Sequence, residues 1–191
     1  TARHLASQAI HVPLQRIDFE NQQIFEYDST ARTFREVEYR VEPGEFEKTE
    51  FTDIQFVGKI GWAVGRNGIV LYTDDGGASW QLEKWGSFGF RDIHMLGPQR
   101  GFIAADNGYL FKTEDGGETW KPIEFENFSS NLNSIAFYNN TGVITTDRGG
   151  LIMTADGGKT WKLTYLNEAR KKNRWISLNK AFLINEYSIW V

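Results

Sequence analysis

The chain has 191 residues, contains no cysteine and carries a formal net charge of −4. The lack of cysteine excludes disulfides and thiolate metal sites, and the acidic balance gives no general attraction to nucleic acid. No apolar run approaches the roughly 18 residues that span a bilayer, and 15% of the residues are aromatic. We therefore expect one domain over residues 1–191 with a core of large rings, and we predict no metal, no cofactor and no nucleic-acid partner.

The first fifty residues predict a short sheet. Apolar and polar side chains alternate over residues 23–27 and 34–41 around a polar turn, which is typical of a hairpin. A shorter alternation at 10–14 predicts an edge strand because it contains a proline. Tyr27 to Phe34 aligns with one turn of the repeat that follows, so we interpret residues 1–50 as a degenerate first blade with Phe34 at a tryptophan position.

Three copies of one unit follow. Each contains an eight-residue motif, Thr-x-Asp-Gly-Gly-x-(Ser/Thr)-Trp, and the successive motif tryptophans are 40 and 41 residues apart. The predicted strands are 51–56, 61–65, 69–72 and 80–85, then 90–95, 101–105, 109–112 and 120–125, then 132–137, 142–146, 151–153 and 161–166. Four short strands in about 40 residues, without helical spacing, predict an all-β fold, a β-propeller of four-stranded antiparallel blades.

The predicted blades cover residues 51–89, 90–131 and 132–173, and residues 174–191 supply an incomplete last blade. Three strands are predicted in this last part, at 175–178, 181–184 and 188–191. We expect the two ends of the chain to pair and to close a ring of about four or five blades, since closure removes exposed sheet edges. The alternatives are a piece of a larger propeller and a partial propeller completed in an oligomer.

The repeated motif is interpreted as a structural turn. A short carboxylate can accept from N–H groups that follow it, threonine can add a hydroxyl bond, and paired glycines permit positive φ. The tryptophans are expected to pack between blades. The residues assigned to this role are Thr73, Asp75, Gly77 and Trp80, then Thr113, Asp115, Gly117 and Trp120, then Thr154, Asp156, Gly158 and Trp161.

The motif resembles the Asp-box, or BNR repeat, of sialidases, xyloglucanases, sortilin-type receptors and assembly-factor propellers. The longer pattern from Gly61 to Ile69, leading into the first box, is similar to the photosystem II stability/assembly factor family and its relatives in non-photosynthetic bacteria. That resemblance covers about residues 51–166, and it implies a propeller with a role in protein assembly. The family's propellers are usually longer than this chain.

The candidate functional face lies opposite the boxes, where strands two and three of each blade are joined. These turns are 65–68, 105–108 and 146–149, and their Asn-Gly pairs predict type I′ geometry. Turn geometry does not require the residue types at four further positions, whose side chains either contact a ligand or are solvated at the hairpin tips. These residues are Arg66, Asp106, Asp147 and Arg148.

The blade-to-blade links of that face carry aromatic and basic side chains. Trp85, Phe88, Arg91 and Phe128 could form a binding surface of the kind enriched at protein interfaces, or the rings could be buried between blades. A basic run of Arg170, Lys171, Lys172 and Arg174 could bind an acidic partner or form a solvated loop.

Enzyme functions have less support. The Phe-Arg-Ile-Pro motif of sialidases is absent, the carboxylate pair of a glycosidase cannot be assigned, and His4, His11 and His94 lack metal-ligand spacing. We therefore expect a non-catalytic scaffold or assembly factor that binds a protein partner, with a carbohydrate-binding or glycoside-hydrolase module as the alternative. The chain opens without an initiator methionine, which favours an extracytoplasmic location; a cytoplasmic one is not excluded.

Overall fold

The computed structural model describes residues 16–18, 23–28, 33–36, 50–85, 87–166, 177–185 and 188–190. The chain divides into two compact units, Thr1–Phe90 and Arg91–Val191, which are described separately. Within the described ranges the only helical elements are two 3₁₀ turns of three residues each. No helix in this part of the chain is long and apolar enough to cross a membrane.

The first unit begins with a small antiparallel sheet. It contains β1 (Arg16–Asp18), β2 (Gln23–Asp28) and β3 (Thr33–Glu36) in the order β1-β2-β3. The predicted hairpin is therefore confirmed over β2 and β3, whereas the edge strand at 10–14 and the extension over 37–41 lie outside the described residues. The assignment of Phe34 to a tryptophan position is wrong. Tyr27 pairs with Phe34, whereas its counterpart Tyr72 pairs with Gln81, the residue after the box tryptophan.

The first complete blade also lies in this unit. Its strands are β4 (Phe51–Val57), β5 (Ile60–Gly65), β6 (Ile69–Thr73) and β7 (Gln81–Lys84), paired antiparallel in chain order. The central strands β5 and β6 are buried on both sides, since consecutive residues such as Trp62, Ala63 and Val64 are all buried. One side contains the cluster of Phe51, Ala63, Ile69, Leu71 and Trp80.

The second unit contains two further blades of the same topology. The second blade has β8 (Phe90–Met95), β9 (Gly101–Ala105), β10 (Leu110–Thr113) and β11 (Lys121–Ile123); the third has β12 (Leu132–Tyr138), β13 (Thr141–Thr146), β14 (Gly150–Thr154) and β15 (Lys162–Tyr165). Both are antiparallel meanders. The predicted strands are thus confirmed, except that each fourth strand begins one residue after the box tryptophan and ends before the predicted limit.

The terminal hairpin consists of β16 (Phe182–Asn185) and β17 (Ser188–Trp190). These strands confirm two of the three predicted for the last blade. Ser177 and Leu178 are not in a strand, and residues 175–176 lie outside the described part of the chain. The expected pairing of residues 10–41 with 174–191 stays a prediction because several of those residues are also outside it.

The second unit is held together by two blade-to-blade seams. At the first seam Phe102, Ala104 and Leu110 of the second blade pack with residues of the third blade that include Leu132 and Ile144. The other seam joins the third blade to the terminal hairpin through Val143, Leu151, Leu178 and Ala181. Buried apolar surface contributes about 25 cal/mol per Å², so the side chains buried at these seams stabilise the packing of adjacent sheets.

Candidate functional site

The three boxes form the same hydrogen-bond network. In the first, the Thr73 hydroxyl donates to Asp75 Oδ1 at 2.8 Å and accepts from Gly77 N–H at 3.0 Å. The Ser79 N–H donates to Asp75 Oδ1 at 2.9 Å and its hydroxyl donates to Asp75 Oδ2 at 2.7 Å. The corresponding bonds recur in the other two boxes, where threonine replaces the serine. The predicted structural role of the aspartate and threonine is therefore visible in each copy.

These bonds lower the pKa of the box carboxylates. Burial would raise the pKa of Asp75, but the hydroxyl and N–H of Ser79 and the hydroxyl of Thr73 outweigh it and lower that pKa to about 2. The pKa of Asp115 is lowered by the same balance of burial against hydrogen bonds. For Asp156 the hydroxyl and N–H of Thr160 are the main causes of a lowered pKa. All three carboxylates are therefore held in the charged form by bonds internal to their own turns.

The box tryptophans and glycines connect the turns to the core. Trp161 meets Phe102 of the second blade edge-on, with ring centroids 5.6 Å apart, which confirms packing between these two blades. Trp80 and Trp120 are buried. Gly158 has φ +81°, and a Cβ at this position would lie 2.3 Å from the Phe102 ring. Glycine is therefore required there by both backbone conformation and close approach.

The turns on the opposite side are less uniform. Asn107 and Gly108 have φ of 58° and 80°, and Tyr109 N–H donates to the Asp106 carbonyl, as type I′ geometry requires. The first turn also has positive φ at both positions, 61° at Asn67 and 71° at Gly68.

The third turn departs from the type I′ prediction. Of residues 147–149, all of which the structure describes, only Gly149 has positive φ. The Thr146 hydroxyl accepts from Gly150 N–H at 3.0 Å and stabilises this turn instead. Arg148, at the position of the asparagine, therefore does not need the left-handed conformation.

A polar cluster occupies this side of the second unit. Arg91 Nε forms an ion pair with Asp106, and Arg91 Nη1 donates to Asn133 Oδ1 at 3.2 Å. The guanidinium on β8, the first strand of the second blade, therefore reaches both the turn of its own blade and the neighbouring blade. Both members of the ion pair are partly exposed.

Asp147 is the second centre of the polar cluster. Its Oδ2 accepts from Asn131 Nδ2 at 2.7 Å, and its Oδ1 accepts from Asn133 Nδ2 at 2.8 Å. Asn131 Oδ1 also accepts from Asn107 N–H at 3.0 Å, and Asn133 Nδ2 lies 3.1 Å from the Leu178 carbonyl. The cluster thus connects the second blade, the third blade and the segment before the terminal hairpin.

A β-bulge directs Asn133 into the cluster. Leu132 pairs with Thr146 and Ser134 pairs with Thr145, so Asn133 is an extra residue without a cross-strand partner. Such a bulge re-aims the side chain of the extra residue and is common beside functional sites. The first blade has the same irregularity at Thr52, between Phe51 and Asp53.

The predicted candidates of the first unit lie around one turn. Arg66 and Glu50 form an exposed ion pair, with Nε and Oε2 2.5 Å apart. Gly68 N–H donates to the Phe88 carbonyl at 2.6 Å, and the Gly68 carbonyl accepts from Trp85 N–H at 2.7 Å. Trp85 Nε1 donates to Glu83, and the Phe88 ring stacks against Phe90. The structure therefore brings Arg66, Trp85 and Phe88 together.

The other candidates lie in three separate places. Phe128 packs partly buried against Phe125, with centroids 6.3 Å apart, and closes over Gly108. Arg148 is exposed at the tip of the third turn. The basic run, Arg170, Lys171, Lys172 and Arg174, lies outside the described residues. A binding role for all of these side chains stays a prediction.

The buried carboxylate of Asp92 links β8 to β12 and to the segment before β16. Both carboxylate oxygens of Asp92 lie 3.3 Å from Lys180 Nζ, and Asp92 Oδ2 accepts from Ile135 N–H at 2.9 Å. His94 lies on the same strand and contacts the Phe137 ring. Burial lowers the pKa of His94. The negative charge of Asp92 acts in the opposite direction, and the positive charge of Lys180 lowers the pKa further.

Sequence reasoning missed Asn131, Asn133, Asp92 and Lys180. One signal could have found Asn133, because alignment of the three units places it in the same column as Thr52 and Arg91. No group of three or more His, Cys, Asp or Glu in the described residues has the arrangement of a metal site.

Comparisons with known proteins agree with the geometry of the boxes and blades. The profile of the family described as Photosynthesis system II assembly factor YCF48 matches residues 87–171, and that of the BNR/Asp-box repeat matches residues 71–82. No curated protein sequence matches the chain.

Solved structures extend this similarity. One described as YCF48 bound to D1 peptide is 27% identical, with a TM-score of 0.53, and the alignment covers 59% of this chain and 40% of that one. For YCF48 from Cyanidioschyzon merolae the values are 26% identity, a TM-score of 0.50, and coverage of 60% and 37%. The extracellular domain of a one component system from B. thetaiotaomicron, at 17% identity and a TM-score of 0.59, covers 88% of this chain and 23% of its own, and it shows the fold alone.

The alignment thus spans less than half of each of these structures. This similarity, together with the three boxes and the three four-stranded sheets, identifies the fold as that of a β-propeller. The chain is an Asp-box β-propeller protein that resembles the photosystem II assembly factor family.

Proposed function

We propose that this chain is a non-catalytic binding module that holds a segment of a protein partner against the face opposite the boxes. The observation that carries the proposal is the polar cluster, in which Arg91, Asn133 and Asp147 connect two blades and the segment before the terminal hairpin. A similar structure, 27% identical, is described as bound to a D1 peptide. That description supports a peptide as the class of ligand.

The chemistry of the polar cluster suits a peptide backbone. Each amide oxygen of Asn131 and Asn133 accepts one bond within the cluster, and its second lone pair can accept from a peptide N–H. Asn131 and Asn133 are only partly buried, and Ser177 and Asn179 beside them are exposed. The internal bonds of the cluster fix these side chains before a ligand arrives, which lowers the entropic cost of binding.

The box side offers much less to a ligand. Both oxygens of each box aspartate accept hydrogen bonds from the same turn. These carboxylates would have to break several charge-assisted bonds before they could contact a partner. This cost supports binding on the opposite face.

The carbohydrate-active alternative has no specific observation in its favour. A glycosidase needs two carboxylates that face a scissile bond. On the candidate face Asp106 is paired with Arg91, and Asp147 accepts from two asparagines. These carboxylates are therefore occupied in holding the polar cluster together.

The test is a binding titration with a labelled D1 peptide, the ligand named for the similar structure, and a scrambled peptide of the same composition. We expect Arg148→Glu to weaken peptide binding at least about tenfold, which is about 1.4 kcal/mol. Lys159→Glu makes the same charge change on the box side of the same blade, and it should leave the affinity unchanged. Equal binding of D1 and scrambled peptides, or equal loss in both variants, would overturn the proposal.

The basic run supplies an independent test with a partner of opposite charge. Reversal of Arg170, Lys171, Lys172 and Arg174 to glutamate should reduce retention of an acidic peptide and reduce the salt dependence of its binding. If the acidic peptide is retained with unchanged salt dependence, this run is not part of the proposed surface. The Arg148→Glu titration then still decides whether the face opposite the boxes binds the D1 peptide.

A further inference from the structure

Each blade opens with a stretch of four residues at the edge of its sheet. These stretches are residues 51–54, 90–93 and 132–135, at the beginning of β4, β8 and β12, and each of these strands is an edge strand. An edge strand presents main-chain N–H and C=O groups that no neighbouring strand pairs with. Side chains of the preceding blade bond to several of these groups, and the position of a residue in its stretch decides whether it donates or accepts.

The second position of each stretch donates to the stretch that follows. The Thr52 hydroxyl donates to the Phe90 carbonyl at 2.9 Å, and Asn133 Nδ2 donates to the Leu178 carbonyl at 3.1 Å. Arg91, at the same position of the second blade, donates to a side-chain oxygen instead, Asn133 Oδ1 at 3.2 Å. A donor at this position with an oxygen acceptor in its neighbour is therefore common to all three blades.

The third position accepts from the stretch that follows in both seams of the second unit. Asp92 Oδ2 accepts from Ile135 N–H at 2.9 Å, and Ser134 Oγ accepts from Ala181 N–H at 3.5 Å. Both N–H groups belong to a residue three positions after the one that begins its stretch. Residues 178–181 therefore form a fourth stretch of the same kind, placed beside the third blade.

The second position of the fourth stretch has an unused donor. Asn179 is exposed, and its Oδ1 accepts from the Ser177 hydroxyl at 2.9 Å. In the part of the chain that the structure describes, nothing accepts from Asn179 Nδ2. Ser177 Oγ also lies 3.4 Å from Asp147 Oδ1, so Asn179 adjoins the polar cluster on the face opposite the boxes. Its amide thus holds two N–H donors for a further acceptor.

The third position of the fourth stretch departs from the pattern. It is Lys180, whose ammonium group has donors but no acceptor. Lys180 Nζ lies 3.3 Å from both carboxylate oxygens of Asp92, and its side chain is 54% exposed. A further blade of the same kind would present an N–H group here, as Ile135 and Ala181 do at the other seams. The neighbour that fits the fourth stretch therefore offers oxygen acceptors, which suits a bound segment better than another such blade.

We propose that Asn179 binds a main-chain carbonyl of the partner segment, in the way that Thr52 and Asn133 bind the first carbonyl of the next stretch. This inference rests on the proposed function, because it takes the segment to lie against the face opposite the boxes. Asn179 Nδ2 donates to the carbonyl, and the second lone pair of Asn133 Oδ1 accepts from a peptide N–H. The two asparagines then hold the segment by its main chain.

The first test is the titration with labelled D1 peptide, carried out on Asn179→Asp. This change keeps the size of the side chain and the oxygen that accepts from Ser177, and it removes both donors. We expect the affinity to fall about tenfold. Asn139→Asp makes the same change at an exposed position beside the third box, where the Asn140 carbonyl accepts from Gly157 N–H, and it should leave the affinity unchanged. Equal affinity of Asn179→Asp and wild type would overturn the inference.

A series of D1 peptides, each with one main-chain carbonyl oxygen replaced by sulfur, tests the acceptor itself. Sulfur is the weaker acceptor, so one position should bind wild type about three- to tenfold more weakly. That position should have no such effect on Asn179→Asp, and the same profile for both proteins would contradict the proposed contact.

The two proposals fail in different ways. If Arg148→Glu weakens peptide binding and Asn179→Asp does not, the contact at Asn179 is wrong and the proposed function stands. If wild type binds D1 and scrambled peptides equally, both are wrong. Circular dichroism and thermal unfolding should be the same for Asn179→Asp and wild type, since the side chain is exposed.

Discussion

The box turns and the turns on the opposite side of the blades both connect neighbouring antiparallel strands, yet only the box turns repeat their chemistry. In all three boxes, a threonine hydroxyl and a serine or threonine hydroxyl donate to the same aspartate. On the other side, the first turn presents Arg66, the second Asp106 and the third Asp147. A feature that every blade needs is repeated, whereas a surface that contacts one partner has no reason to be the same in each blade.

The largest expected effect is at a box glycine. Gly158→Ala should destabilise the protein by about 2–4 kcal/mol, because left-handed strain adds to overpacking against Phe102. Gly58→Ala is the matched control, since Gly58 has φ +65° and nothing within 4 Å of an added Cβ. It should cost only about 1 kcal/mol. Denaturant unfolding followed by tryptophan fluorescence measures both, and equal costs would mean that the contact with Phe102 is unimportant.

A box carboxylate should come next. Asp75→Asn should cost about 1–2 kcal/mol, because the amide cannot accept the three bonds from Thr73 and Ser79 as a carboxylate does. Asp74→Asn makes the same change at the neighbouring exposed position and should stay within about 0.5 kcal/mol of wild type. A shift in the unfolding midpoint of the same size for both variants would contradict the structural role of the box.

The opposite side permits a comparison between its own turns. Asn107→Ala should cost about 1 kcal/mol, because alanine replaces asparagine at φ 58°. Arg148→Ala, at the corresponding position of the third turn, should change stability by less than about 0.5 kcal/mol. Thermal unfolding of the two variants gives the comparison. A larger loss for Arg148→Ala would show that this arginine stabilises the turn.

The smallest effect concerns pH. The pKa of Asp75 is lowered to about 2 in the folded protein, below the value of about 3.9 in an unfolded chain. Asp75 therefore contributes stability above pH 4, and this contribution is lost as the pH falls toward 2. Urea unfolding at several pH values should show a shallower acid loss for Asp75→Asn than for wild type. If the free energy of unfolding of the two proteins falls equally with pH, protonation of Asp75 is not linked to unfolding.

The fold was largely predictable because the relevant information is local and repeated. Spacing of the tryptophans gave the blades, and period-two alternation gave strands such as β5 and β9. Trp80 was assigned to a strand that begins at Gln81; its indole is buried and its backbone forms a single β-bridge just before that strand. The third turn was misassigned because Arg148 replaces asparagine and Thr146 supplies another way to close it.

The candidate site was predictable only in part. Asp106 and Asp147 were found because the turns that carry them do not explain their residue types, and Arg91 was found because it lies near the aromatic residues of a blade-to-blade link. Asn133 was missed because its role depends on a bulge and on a neighbouring blade 42 residues away in sequence. Contacts across a seam depend on how two sheets stack, and neither alternation nor turn chemistry contains that information.

The most direct test of the central claim is the map of backbone amide NMR shifts on addition of the D1 peptide. The account predicts shifted amides at Asp106–Gly108, at residues 131–133 and at residues 147–149, with the box amides of Gly77, Gly117 and Gly158 unchanged. Shifts centred on the box turns, with the opposite side unaffected, would contradict it.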